Sequence, residues 1–113
     1  MTITELRIDQ TTTALHLDGP FIYTQRKVFQ EAIRKVCQQG ARQIVLDISQ
    51  VPMLDSAALG LLMVTHRLLS NERCRLILAK PRPNIKEVIE LAGLHEFIPL
   101  SNGGELVDLR KTA

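Results

Sequence analysis

A chain of 113 residues accommodates one ordinary domain and not two. Its 14 basic and 12 acidic residues are interspersed and leave a net charge of +2, which argues against the basic stripe and stacking aromatics of a nucleic-acid binder. With 45% hydrophobic residues, only 4% aromatics and no Trp, the core must be aliphatic.

The chain opens with two alternating segments, residues 3–8 and 14–18. In the first, Ile3, Leu6 and Ile8 are apolar. In the second, Leu15 and Leu17 alternate with Ala14, His16 and Asp18. Two half-buried strands joined by the Thr-rich stretch Gln10 to Thr13 predict a hairpin, stopped by Gly19-Pro20. Residues 24–39 then follow a helical period. Phe29, Ile33, Val36 and Cys37 form the apolar stripe, with Val28 and Ala32 beside it. Thr24 is the expected N-cap, and Gly40 sits where a left-handed C-terminal residue belongs.

Residues 43–48, Gln-Ile-Val-Leu-Asp-Ile, are nearly all apolar and rich in β-branched side chains, which suits a central strand buried on both faces. A further strand is predicted at Arg75 to Ala79, and another at Phe97 to Leu100. Between these two, Asn84 is the expected cap of a helix that turns Ile85, Val88, Ile89 and Ala92 inward and ends at Gly93-Leu94. A last helix is predicted from Glu105 to Lys111. The order β-β-α-β-α-β-α-β-α implies an α/β fold, a mixed, mostly parallel sheet with helices packed on it.

The most informative stretch is Leu46 to Leu69, LDISQVPMLDSAALGLLMVTHRLL. A buried strand ends near Ile48, and a loop with Pro52 follows. Asp55-Ser56 then opens a helix with no polar residue until Thr65 and His66. One reading is structural: Asp55 or Ser56 caps a buried helix, and such a cap typically adds about 1 kcal/mol. The other is functional. A helix N-terminus carries free N–H groups and partial positive charge, so a serine there tolerates phosphorylation. Ala57, Ala58 and Gly60 would let a partner approach the backbone, and the apolar excess would give that partner surface to bury.

These segments resemble the STAS domain, in particular its anti-sigma factor antagonist branch. D-S-x-x-L-G followed by an apolar helix is similar to the family's phosphoacceptor motif. Gly40-Ala41-Arg42 before VLDIS is similar to its G-A-R-x-[IV]-[IV]-[LV]-D-[LI]-S pattern. LILAKP (Leu76 to Pro81) and VIELAGL (Val88 to Leu94) are similar to its fourth strand and the following helix, and Gly19 ends the second strand where the family usually has a Gly. The resemblance spans essentially the whole chain, as a single domain of residues 1–113 with the STAS fold.

The resemblance implies a phosphorylation-switched binding module. The unphosphorylated form sequesters an anti-sigma factor that is also a serine kinase of the histidine-kinase ATPase type. That kinase phosphorylates the serine aligned with Ser56 and is thereby released, and a PP2C-type phosphatase restores binding. The partner surface implied includes Asp55, Ser56, Ala57, Ala58, Leu59, Gly60 and Met63, with Phe21 and Tyr23 either core or part of that surface. The chain departs from the commonest D-S-S-G motif. Ala57 removes an alternative acceptor, and Ala58 adds a methyl where a partner approaches. STAS domains also serve as cytosolic subunits of lipid transporters, bracing an ATPase, which is the alternative.

Catalysis is not expected. His66 lies ten residues from Ser56 on the same predicted helix, about 15 Å away and beyond hydrogen-bond reach. Neither a G-x-S-x-G elbow nor a G-x-x-x-x-G-K-[ST] or G-x-G-x-x-G loop is present. No cofactor is expected, and His16, His66 and His95 lack metal-ligand spacing with any Cys, Asp or Glu. Cys37 and Cys74 are expected as buried, reduced thiols. The start of the chain has no apolar signal-peptide region, and the apolar middle is too short to span a bilayer. A cytoplasmic location without membrane insertion is therefore expected.

Overall fold

A computed structural model describes residues 1–102 of the chain. The elements are β1 (Thr2–Arg7), β2 (Thr12–Asp18), α1 (Arg26–Gln38), β3 (Gln43–Gln50), α2 (Ser56–Asn71), β4 (Arg75–Ala79), α3 (Pro83–Leu91) and β5 (Leu100–Ser101). The sheet order is β1-β2-β3-β4-β5. β1 is antiparallel to β2, and every other neighbouring pair is parallel, giving the mixed, mostly parallel sheet that the α/β alternation implies. Each parallel neighbour is reached through one helix. Crossovers of one hand between strands laid down in sequence put all the connecting helices on the same face.

The core shows that arrangement. In β2, β3 and β4, alternate residues Leu15, Leu17, Ile44, Leu46, Ile48, Leu76 and Leu78 face the helices. There they pack with Phe29, Ile33 and Val36 of α1, Ala58, Leu62 and Leu69 of α2, and Ile85 and Ile89 of α3. The register explains the layering: Leu15 lies beside Leu46, and Leu46 beside Leu78. One residue out of phase, Val45, Ile77 and Ala79 are also buried and cluster with Ala14 on the opposite face. β3 is thus buried on both faces, as its unbroken apolar run requires.

Several element ends differ from the sequence expectation. The hairpin turn is shorter and earlier, because Asp9 Oδ1 accepts the N–H groups of Thr11 (2.9 Å) and Thr12 (2.7 Å). Thr12 and Thr13 therefore belong to β2 and are buried. Thr24 does not cap α1. It lies in a 3₁₀ turn, Tyr23–Gln25, that runs directly into the helix. Asn84 does not cap α3 either. Pro83 occupies the first turn, where its missing N–H costs nothing, and Asn84 Nδ2 instead donates to the Pro52 carbonyl at 3.2 Å.

Ile85 and Ile89 of α3 are buried, whereas Val88 and the following Ala92 are exposed, since a helix of nine residues turns only a narrow stripe to the sheet. Phe97 is not in a strand. Gly93, at φ +77°, leads into a 3₁₀ turn at Leu94–Glu96, and Phe97 N–H closes on the Leu94 carbonyl at 3.0 Å. β5 consequently starts only at Leu100. The helix expected at Glu105 to Lys111 lies outside the described residues.

Candidate functional site

The loop after β3 reaches the head of α2 through a set of hydrogen bonds centred on Asp55. Its backbone is extended (φ −97°, ψ 175°), the conformation of an N-cap, and its Oδ1 accepts the Ala58 N–H at 2.8 Å. Oδ2 accepts the Tyr23 N–H at 2.9 Å. Around it, Asp55 N–H donates to the Phe21 carbonyl (3.3 Å) and Phe21 N–H to the Met53 carbonyl (3.0 Å). One carboxylate thus fixes the start of α2 and the segment after β2 to each other. With Asp55 as the cap, Ser56 is the first helical residue and is exposed.

The first turns of α2 have two faces. Ala58 and Leu62 point into the core, Leu59 and Met63 are half-buried, and Ala57 and Gly60 are exposed beside Ser56. A Cβ placed on Gly60 would meet no heavy atom within 4 Å beyond its chain neighbours and its own helix backbone. Ala58 is buried at 1% exposure, and its methyl packs in the core. Phe21 is core as well, at 1% exposure, with its ring 4.9 Å from that of Phe29. Tyr23, at 57% exposure, is surface, and the Arg26 guanidinium sits 4.8 Å from its ring centre, a cation–π arrangement. Tyr23 and Arg26 face Ala57 and Leu61 across a shallow pocket of about 210 Å³.

Below that pocket a larger groove of about 700 Å³ runs between α1 and α2. Leu61, Val64 and Leu68 line it on one side, and Lys27, Gln30 and Arg34 on the other. Val64 and Leu68 are more than half exposed. The apolar excess read in this helix therefore divides between the core and an open surface.

A polar cluster that the sequence reading did not single out lies on the sheet face opposite the helices. The β2–β3 register sets His16 beside Asp47, and His16 Nδ1 is 3.2 Å from Asp47 Oδ2. Lys80 Nζ is 3.7 Å from the same oxygen. Asp47 Oδ1 accepts both the N–H (3.0 Å) and the hydroxyl (2.7 Å) of Ser49. Burial pushes the Asp47 carboxyl upward, but the Ser49 bonds, His16 and Lys80 outweigh it and hold the carboxyl below its ordinary value. Only the pairing register brings these residues together, so no linear motif could have signalled them.

Among the described residues no three His, Cys, Asp or Glu side chains come together in a way that could hold a metal ion. No described helix is long and apolar enough to cross a membrane.

The fold is a five-stranded mixed α/β domain with the capped, serine-headed α2 packed on its sheet. The family model for the STAS domain matches residues 4–105, and the chain belongs to that family. It is 28% identical over 67 residues to the "Putative anti-sigma factor antagonist BtrV" of Bordetella bronchiseptica. That match covers 59% of this chain and 58% of the relative's own length. It is 24% identical over 102 residues to a STAS-domain containing protein of Pseudomonas aeruginosa, covering 89% of this chain and all of that one. Among solved structures it resembles the anti-sigma factor antagonist SpoIIAA in its unphosphorylated form, with a TM-score of 0.81 at 18% identity over 99% and 98% of the two chains.

Proposed function

We propose that this chain is an anti-sigma factor antagonist: a single-domain, cytoplasmic, non-enzymatic module that binds an anti-sigma factor and is switched by phosphorylation of Ser56. The observation that carries this reading is the placement of Ser56. It is exposed, it opens α2 beside a cap that leaves its hydroxyl dispensable to the fold, and it adjoins an apolar surface formed by Ala57, Gly60 and the Tyr23 pocket. The relative named as an anti-sigma factor antagonist supports the same reading.

The physical logic is a difference between the free and bound states. A phosphate at Ser56 brings about −1.5 to −2 charges to a helix N-terminus, which tolerates them in water. A partner covering Ala57 and Gly60 would have to desolvate that phosphate, at a cost of several kcal/mol unless a cation meets it. A penalty of about 3 kcal/mol weakens binding more than a hundredfold. The partner is read as an anti-sigma factor with serine kinase activity of the histidine-kinase ATPase type, and a PP2C-type phosphatase resets the switch. Bracing of a transporter ATPase draws less support, because a relative with a functional name is called a "Putative anti-sigma factor antagonist".

The test is calorimetric affinity for the cognate kinase-like partner, using wild type, Ser56→Ala, Ser56→Asp and the phosphorylated protein. Ser56→Ala should bind and stay bound in the presence of ATP, Ser56→Asp should bind more weakly, and the phosphoprotein weakest. Equal binding by all four, or ATP-dependent labelling that persists in Ser56→Ala, overturns the assignment.

A further inference from the structure

β1 forms one edge of the sheet. It pairs with β2 without a bulge, from Thr2 opposite Asp18 to Arg7 opposite Thr13. Among the described residues no strand pairs with its other side. An edge strand presents a row of unpaired N–H and C=O groups, and chains commonly blunt it with a proline, a bulge or a very short strand. β5, the opposite edge, is blunted in this way, with two residues. β1 has six residues and neither a proline nor a bulge. Its register carries a second feature. Leu6 lies beside Ala14, Ala14 beside Val45, and Val45 beside Ile77. Val45 and Ile77 are buried and Ala14 is half-buried, whereas Leu6 is 65% exposed. One apolar row thus crosses β4, β3, β2 and β1 and ends in the open at Leu6.

We propose that the outer edge of β1 is a homodimer interface, where a second copy of this chain pairs antiparallel with it about a two-fold axis at Leu6. An axis normal to the sheet keeps every side chain on its own face, so the pairing must centre on a residue and not between two. Centred on Leu6, it sets Leu6 against Leu6 of the other copy, and it sets Glu5 against Arg7 twice. Apolar pairs and opposite charges in directly opposed positions both stabilise an antiparallel ladder, and like charges there destabilise it. The other centres fare worse. Glu5 or Arg7 at the axis would face its own like charge, Thr4 at the axis would set Ile3 against Glu5, and Ile3 at the axis would leave Leu6 unmatched by the other β1. With Leu6 at the axis the apolar row continues from one sheet into the next. The two five-stranded sheets then join into one, with both helix layers on the same face.

The charged side chains keep capacity for this pairing. Strand alternation puts Glu5 and Arg7 on one face. Glu5 Oε1 is 3.6 Å from Lys35 Nζ of α1, an exposed ion pair of the kind that holds a carboxylate only weakly. Arg7 Nε and Nη2 each donate at 3.3 Å, to the Asp9 and Gln10 carbonyls, and its Nη1 has no partner among the described residues. A ladder of a few residues buries less surface than a permanent dimer does, so the dimer is weak and depends on concentration. The interface does not involve Ser56 and is independent of the reading built on it.

The experiment is sedimentation equilibrium of the full chain from about 1 μM to about 1 mM. Wild type should pass from monomer to dimer within that range, and Leu6→Lys should raise the dissociation constant roughly tenfold or more. Glu5→Arg alone and Arg7→Glu alone each oppose like charges twice and should weaken the dimer as much. Mixed in equal amounts, these two variants should dimerise with each other about as well as wild type, because both arginines of one chain then meet both glutamates of the other. Damage to the fold would not be repaired by mixing. Leu6→Cys should give a disulfide-linked dimer on mild oxidation, since directly opposed Cα atoms lie about 4.5–5.5 Å apart, within disulfide range. Thr4→Cys, two residues from the axis, should link no more than wild type, whose own Cys37 and Cys74 set the background. A wild type that stays monomeric throughout, a dimer indifferent to Leu6→Lys, no rescue on mixing, or equal linking through positions 4 and 6 would overturn the proposal. The exposed Leu6→Lys and Leu6→Cys keep the test decisive if a charge variant fails to fold.

Discussion

Asp55 and Tyr23 are joined by a 2.9 Å hydrogen bond from backbone N–H to carboxylate, although 32 positions separate them. The other oxygen of the same carboxylate caps α2 through Ala58. Asp55 is therefore a structural hinge pin for the candidate surface as well as the neighbour of the candidate phosphoacceptor. Tyr23 stands where it does because Asp55 holds its backbone.

Asp55→Ala removes a cap and a tertiary hydrogen bond together. Cap loss alone costs about 0.5–2 kcal/mol, and the freed Tyr23 N–H adds to it. The expected result is a loss of about 2 kcal/mol in urea unfolding, with Asp55→Asn retaining part of the difference. An Asp55→Ala protein as stable as wild type would mean that neither bond persists in solution.

Leu46 is fully buried at the centre of β3, flanked in register by Leu15 and Leu78. Leu46→Ala should lose about 2–5 kcal/mol. Leu46→Asp places an unpaired charge in that layer and should consume most of the roughly 5–15 kcal/mol that a domain possesses. Circular dichroism of the purified variant checks it: a folded Leu46→Asp protein with an unchanged melting temperature contradicts the strand's central position.

What was legible in the chain and what was not follows from the range of the forces involved. The apolar run of β3 and the heptad-like spacing of Phe29, Ile33 and Val36 are local patterns, and they mark the core elements directly. The Asp55-Ser56 junction is local too, because capping acts within one turn. Three-dimensional coincidences leave no such trace. Nothing linear links His16 to Asp47, or Asn84 to the Pro52 carbonyl. The weakest elements were misplaced for the same reason. β5 has two residues paired on one side to β4, so its position is decided by the Gly93 turn and by Leu78 N–H bonding to the Pro99 carbonyl at 2.9 Å, not by its own sequence. Phe21 and Tyr23 show the limit at the site. Two residues apart, they take opposite roles because the bridge from Phe21 to Leu54 turns one ring inward.

The Asp47 cluster predicts an acid-side sensitivity. Its carboxyl is held below the ordinary value of about 3.9 in the folded state. The stabilisation is therefore complete above the unfolded-state value and is lost as pH falls through the lower folded-state value. Melting temperature followed from pH 5 down to about pH 2.5 should fall in wild type by more than in Asp47→Asn, which has no carboxylate to protonate there. Parallel profiles would show that the Ser49, His16 and Lys80 contacts do not favour the ionised form.

Phosphorylation at Ser56 should leave the fold intact. The residue is exposed, and the helix N-terminus favours the added charge by about 0.3–1 kcal/mol, partly offset by the Asp55 carboxylate next to it. The melting temperatures of Ser56→Asp and of the phosphorylated protein should stay within a few degrees of wild type, corresponding to about 1 kcal/mol or less. Global unfolding on modification would make the switch a stability switch rather than one acting at the bound surface.

Gly60 separates the surface from the charge. Its position is exposed and open, with no heavy atom within 4 Å of an added Cβ beyond its chain neighbours and its own helix backbone, yet it lies inside α2, where glycine is a poor helix former by about 1 kcal/mol relative to alanine. Gly60→Ala should therefore stabilise the domain by about 0.5–1 kcal/mol, and Gly60→Gln should fold at least as well as wild type. The proposed partner, however, must approach the backbone along Ala57 and Gly60, and a Gln side chain projects into that approach. Gly60→Gln should weaken binding at least tenfold while its melting temperature rises or holds, and Gly60→Ala should fall between it and wild type. Neither substitution alters the charge beside Ser56, so this loss cannot be electrostatic. A Gly60→Gln protein with full affinity would show that the partner does not cover the first two turns of α2, whatever the fate of the serine.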